Sequence, residues 1–112
     1  MENHISVDQI FVALADPTRR NVVEILGDGP RRAGELARAT GTSPARMSRH
    51  LRVLLDAGIA DDERPRSDAR ARVFRLRTDA MTPIHAWLDQ LQAHWDTQLE
   101  SFKQHVDNRS RQ

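Results

Sequence analysis

Arg46, Arg49 and His50 stand at i, i+3 and i+4, a spacing that gathers three donor-rich side chains on adjoining positions of a helix surface. A guanidinium is a planar fork of N–H donors. It can satisfy both acceptors on a guanine edge or grip a phosphate. Arginine in this position therefore reads a base or holds the backbone. Arg52 falls on the same outward arc as Ala45, Arg46 and Arg49 when residues are set at about 100° apiece. Ser43 and Ser48 add hydroxyls. Ser43 precedes Pro44 and reads first as a helix cap, whereas Ser48 lies beside the inward face yet close enough to the helix start to reach DNA. A second set, Arg64, Arg66, Arg70 and Arg72, flanks the turn Pro65-Arg66-Ser67-Asp68. It reads as a clamp on phosphates or on a minor groove.

Other chemistries find little to work with. The chain has no cysteine, which removes disulfides, thiolate catalysis and every cysteine-based zinc site. No nucleophile sits with a base, no glycine loop cradles phosphate, and no carboxylates pair in a cleft. The five histidines are scattered. His85 and Asp89 stand at i, i+4, and His94 and His105 lie about three turns apart. Both pairs read as surface or interface residues rather than ligands. No metal, cofactor or catalytic step is expected.

Charge supports the arginine reading once it is divided along the chain. Net charge is +1, yet residues 31–77 hold twelve basic and six acidic side chains, residues 1–30 two and five, and residues 78–112 three and five. Sixteen of the seventeen basic residues are arginine, which reflects codon usage more than function; their position does not. A basic middle between acidic flanks points to an element that faces nucleic acid.

The elements that would position these residues follow from caps and periodicity. Val7, Ile10, Phe11 and Leu14 share one helical face. Asp16-Pro17 starts a second helix, which Gly27-Asp28-Gly29-Pro30 ends. A short helix over residues 33–40 stops at Gly41, where a left-handed residue is expected. Ser43-Pro44 opens the next, with Met47, Leu51, Leu54 and Leu55 inward, to Gly58. Helix, tight turn, helix over 33–57 is a helix-turn-helix. Residues 59–77 then alternate and predict a β-hairpin, a wing, with Phe74 and Leu76 on the core and Arg72 near the tip. Thr82-Pro83 predicts a last helix. The expected fold is mainly α with a small hairpin: one winged helix-turn-helix domain over 1–112, with five helices.

That last helix carries Ile84, Leu88, Leu91, Trp95, Leu99, Phe102 and Val106 at spacings of 4, 3, 4, 4, 3 and 4, with Trp87 beside them. A stripe so long exceeds what a small monomer covers. A symmetric homodimer is expected through the helices at 5–15 and 79–107, using Val7, Ile10, Phe11, Leu14, Trp87, Leu88, Leu91, Trp95, Leu99 and Phe102. No run of about 18 apolar residues predicts a membrane span. The start, Met1-Glu2-Asn3-His4, lacks the features of a secretory signal, and a cytoplasmic protein is expected.

Leu14-Ala15-Asp16-Pro17-Thr18-Arg19-Arg20, Glu35-Leu36-Ala37, Met47 to Leu54, Ala57-Gly58-Ile59 and Phe74-Arg75-Leu76 together resemble the ArsR/SmtB family of winged-helix transcriptional repressors, over about residues 5–105. The resemblance implies a dimer joined through its first and last helices on an imperfect palindrome in double-stranded DNA. It places DNA contacts on Pro44, Ala45, Ser48 and Arg49. Many relatives carry Gln and Ser where this chain has Pro44 and Ala45, so Arg46 is the candidate to take their place. The family's thiolate metal site lacks its cysteines here. Its other common site falls on Thr78, Ala80, Leu91 and His94, of which only His94 can ligate, so the non-metal-sensing branch is the expectation and the inducer is unknown. The leading expectation is a sequence-specific repressor. The alternatives are a winged-helix protein-interaction module and a His/carboxylate metal-responsive repressor.

Overall fold

The computed structural model describes residues 6–64 and 71–111. Three of its helices start at side-chain caps. In α1 (Val7–Leu14) the Ser6 hydroxyl accepts from the Gln9 N–H at 3.4 Å. In α2 (Pro17–Gly27) the Asp16 carboxylate accepts from the Thr18 and Arg19 N–H groups at 2.8 and 3.1 Å. The Arg19 N–H is the main reason the Asp16 carboxyl titrates below its ordinary value of 3.8. Its contribution to stability is thus complete above that value and is lost as pH falls through the lower folded one.

A two-residue strand β1 (Arg31–Arg32) leads into α3 (Ala33–Thr40). Gly41 ends α3 at φ +66°, a conformation that costs glycine nothing. The Thr42 N–H closes back on the Ala37 carbonyl at 2.9 Å. The chain reverses and α4 (Pro44–Asp56) begins, with the Ser43 hydroxyl accepting from the Arg46 N–H at 3.2 Å. Gly58, at φ +77°, turns the chain into β2 (Ala60–Glu63), and β3 (Val73–Leu76) returns antiparallel to it.

The wing is more than a hairpin. β1 also pairs with β3, Arg31 opposite Phe74 and Arg32 opposite Val73, giving a three-stranded sheet in the order β1-β3-β2. Two residues are too few for periodicity to register, and β1 exists only because β3 supplies its partner. The predicted start of the last helix also moves. A 3₁₀ turn (Thr78–Ala80) runs straight into α5 (Met81–Ser110), so Thr82 lies inside the helix and does not cap it. Pro83 is tolerated there because the N–H it lacks would have no intrahelical partner in a first turn.

The chain falls into two units, one ending at Met81 and one beginning at Thr82. In the first, Ile10, Val22, Leu36, Met47, Leu54, Ile59 and Phe74 are fully buried, and no polar or charged side chain among the described residues joins them. Stability there rests on apolar burial. Phe74 is the largest of these side chains and sits on the central strand, so Phe74→Ala is expected to cost about 3–5 kcal/mol. Thermal melting followed by circular dichroism checks this; a shift of only a degree or two would show that the ring is not a keystone. In the second unit, α5 spans 30 residues with none buried. Among the described residues no helix is long and apolar enough to cross a membrane.

Candidate nucleic-acid interface

Proline at N1 and the Ser43 cap fix the start of α4, and the outward face of its first two turns follows from helical geometry. Met47, Leu51 and Leu54 turn inward and are buried, leaving Ser43, Pro44, Ala45, Arg46, Ser48, Arg49 and Arg52 exposed. Arg46 and Arg49 make no ion pair or side-chain hydrogen bond with any other described residue. Arg52 lies 3.8 Å from Asp56 one turn on, both side chains about three-quarters exposed, a pair of little energetic weight. Ser48 is exposed rather than set against the inward stripe.

His50 departs from the group. It is half-buried, and its Nδ1 lies 3.2 Å from Nη1 of Arg19 on α2. Of the predicted cluster, Arg46 and Arg49 have no side-chain partner among the described residues, and His50 is turned to a neighbouring helix.

The wing arginines separate in the same way. Arg64 is exposed beyond the end of β2, and Arg66 and Arg70 lie outside the described residues. Arg72 is not at a tip. Its Nε donates to Asp62 on β2, and its guanidinium stacks on the Phe74 ring at 4.7 Å, a cation–π contact. Arg75 stands opposite Asp61 and donates to it at 2.7 Å, with Glu63 at 3.4 Å. The Asp61 hydrogen bond is the chief reason the Arg75 guanidinium is held above its usual range. Asp61, Asp62 and Glu63 thus neutralise the stem of the wing from within. Positive charge remains on residues 31–56, where six arginines face two acids.

Between α3, α4 and β3 lies an open cleft of about 750 Å³. Leu51, Leu55 and Phe74 form its floor; Arg32, Arg38, Arg52 and Arg72 stand around it, with Ser48 on the α4 side. Arg32 and Arg38 were not singled out by their local pattern. The only signal was their membership in the basic middle, since α3 alone gives them no motif. Glu35 is spent on the start of α3, accepting from the Arg32 N–H at 3.3 Å.

The helix α1 presents a different apolar face from the one its spacing suggested. Ile10 is fully buried in the chain's core. Val7 and Leu14 are half-buried, and the exposed apolar residues are Phe11 and Val12. On α5 Trp87, Leu88, Trp95, Leu99, Phe102 and Val106 are 42–67% exposed, with Leu91 half-buried. Among the described residues no group of three or more His, Asp or Glu side chains is placed to hold a metal ion.

Comparison with known proteins agrees with the winged helix-turn-helix fold. The helix-turn-helix domain family matches residues 14–63. The HTH-type transcriptional regulator Rv2034 of Mycobacterium tuberculosis is 35% identical over 108 residues, covering 96% of this chain and 95% of the relative. A crystal structure of the ArsR family transcriptional regulator RHA00566 is 32% identical and superposes with a TM-score of 0.73 over 80% of this chain and 96% of that one. The homodimeric winged helix-turn-helix DNA-binding domain Mb0332 of Mycobacterium bovis shares the fold, with a TM-score of 0.58, 24% identity, and coverage of 84% and 82%.

Proposed function

The chain belongs to the ArsR family of winged helix-turn-helix transcriptional regulators, and we propose that it is a homodimeric repressor that reads a palindromic operator through the first two turns of α4. The observation that carries this reading is the pair Arg46 and Arg49, exposed and without a side-chain partner among the described residues, beside a cleft rimmed by arginine. A recognition helix enters the major groove with its N-terminal residues foremost, where a free guanidinium grips the O6 and N7 of guanine. Ser43, Pro44 and Ala45 lie against the DNA at the entry point.

The cleft suits the phosphate backbone that separates the major groove from the adjoining minor groove. Arg32, Arg38 and Arg52, with Ser48, hold it. Arg64, Arg66 and Arg70 extend the grip toward the minor groove, and Arg72 braces the wing against the core. Two copies related by a two-fold axis place their recognition helices about 34–36 Å apart, on half-sites one helical turn apart. The covering of α5 by a second copy, together with Phe11 and Val12 of α1, completes the dimer. No catalytic step belongs to this activity. It is exercised where chromosomal DNA is, in the cytoplasm.

Titration of the DNA upstream of the protein's own gene, followed by fluorescence anisotropy with a scrambled duplex as competitor, tests the reading. Binding is expected to prefer the upstream DNA and to weaken steeply with salt as counterions return. No binding to either duplex at low salt would favour a protein-interaction module. Release by micromolar zinc or cobalt would instead make it a metal-responsive repressor.

The cleft makes a separate prediction. Arg38→Gln is expected to weaken specific and scrambled duplexes alike, by about five- to tenfold at 0.1 M salt, and to lower the slope of log K against log salt by about 1. An unchanged slope would remove Arg38 from the phosphate seat.

A further inference from the structure

We propose that Arg19 is a positioning residue for DNA recognition, a strut that ties α1 to the second turn of α4 and so sets the angle at which the recognition helix is presented. It rests on the DNA-reading role of α4 argued above. Arg19 lies in the first turn of α2, and its backbone N–H is already committed to Asp16. Its side chain reaches back to the last turn of α1, Nε donating to the Ala13 carbonyl at 2.6 Å and Nη2 to the Val12 carbonyl at 3.3 Å. The remaining arm, Nη1, meets His50 Nδ1 on α4 at 3.2 Å. One rigid guanidinium plane thus spans three helices.

Arginine stays protonated, so it is the donor in that last bond. His50 Nδ1 is therefore the acceptor, and the ring carries its proton on Nε2. A lysine ammonium keeps the charge but loses the planar fork that fixes these three directions. The carbonyls it holds belong to the last turn of α1, where the helix dipole favours a cation; that of Val12 also accepts from the Ala15 N–H at 3.2 Å. This arrangement gives His50 a part in recognition without a base contact: it is the point where α4 is anchored. It also connects α4 to the helix that carries the exposed Phe11 and Val12. Displacement of that helix would then be felt at the DNA-facing side chains one and four residues before His50.

A double-mutant cycle in the full-length protein tests the proposal, using Arg19→Lys, His50→Ala and the pair. Affinity for the upstream operator and for a scrambled duplex is measured across a salt series, with melting curves alongside. Each single change is expected to weaken operator binding by about tenfold and to leave scrambled-duplex affinity and the salt slope unchanged. The double variant should be no weaker than either single one. Multiplying losses would overturn the proposal, since His50 and Arg19 would then act independently. So would a uniform loss with the slope lowered by about 1, the mark of a phosphate contact. A fall in melting temperature with unaltered operator affinity would reduce Arg19 to a structural role and overturn it as well. Absence of any sequence preference in the unsubstituted protein is a distinct result: it removes the DNA-reading role itself.

Discussion

Changing Leu99 and Phe102 together to glutamate is expected to leave the protein folded but monomeric, and to lower operator affinity by about 10²- to 10⁴-fold. α5 is about 45 Å long at 1.5 Å per residue, and its apolar residues recur every three or four positions from Leu88 to Val106, exposed except for the half-buried Leu91. Such a stripe is the seam of a helix pair. Burying side chains of this size gains about 1.5–3 kcal/mol each, enough in aggregate to exceed the rotational and translational cost of association. Leu99 and Phe102 are 63% and 67% exposed and lie outside the chain's own buried core. A carboxylate forced into an apolar seam is desolvated, which opposes pairing.

The effect on DNA follows from linkage. Two half-sites bound by one dimer act as a single bivalent event, and separating the halves forfeits the effective concentration of the second. Light scattering coupled to size exclusion reads the mass, and anisotropy reads the affinity. A variant that stays dimeric would move the interface off this face of α5. A monomer that keeps full operator affinity would remove the need for a dimer.

How much of this was legible beforehand depended on whether the cause was local. Asp16-Pro17, Ser43-Pro44 and Gly41 specify their own backbone geometry, and all three act where the chain order places them. Features made by distant partners were out of reach. β1 is two residues long and needs β3 to exist. The α1 spacing grouped Ile10 with Phe11, but only the packed structure shows Ile10 sealed in the core and Val12 exposed. Charge counting marked residues 31–77 as basic but could not apportion that charge among its elements. A sum cannot see that Asp61, Asp62 and Glu63 answer Arg72 and Arg75 across the sheet. It also could not see Arg32 and Arg38 come together with α4 around one cleft. The same limit hid the bond from His50 to Arg19, thirty-one residues apart.

In the repressor proposed above, with the wing stem neutralised, discrimination between sequences is expected to fall mainly to Arg46 and Arg49, and replacing both with alanine to leave a protein that binds DNA without reading it. A bidentate contact to guanine contributes about 1–3 kcal/mol of discrimination, so loss of two should lower operator affinity by about 30- to 10⁴-fold at fixed salt. Scrambled duplex should be affected far less, because the phosphate seat around Arg32, Arg38 and Arg52 is intact. The ratio between the two affinities is the quantity that matters, since phosphate contacts weaken both alike. Both side chains are exposed and make no side-chain bond with any other described residue, and alanine favours helix, so the melting temperature should hold. If operator and scrambled affinities fall by the same factor, with the salt slope lower by about 2, the two arginines hold phosphates. Base reading must then come from another part of α4.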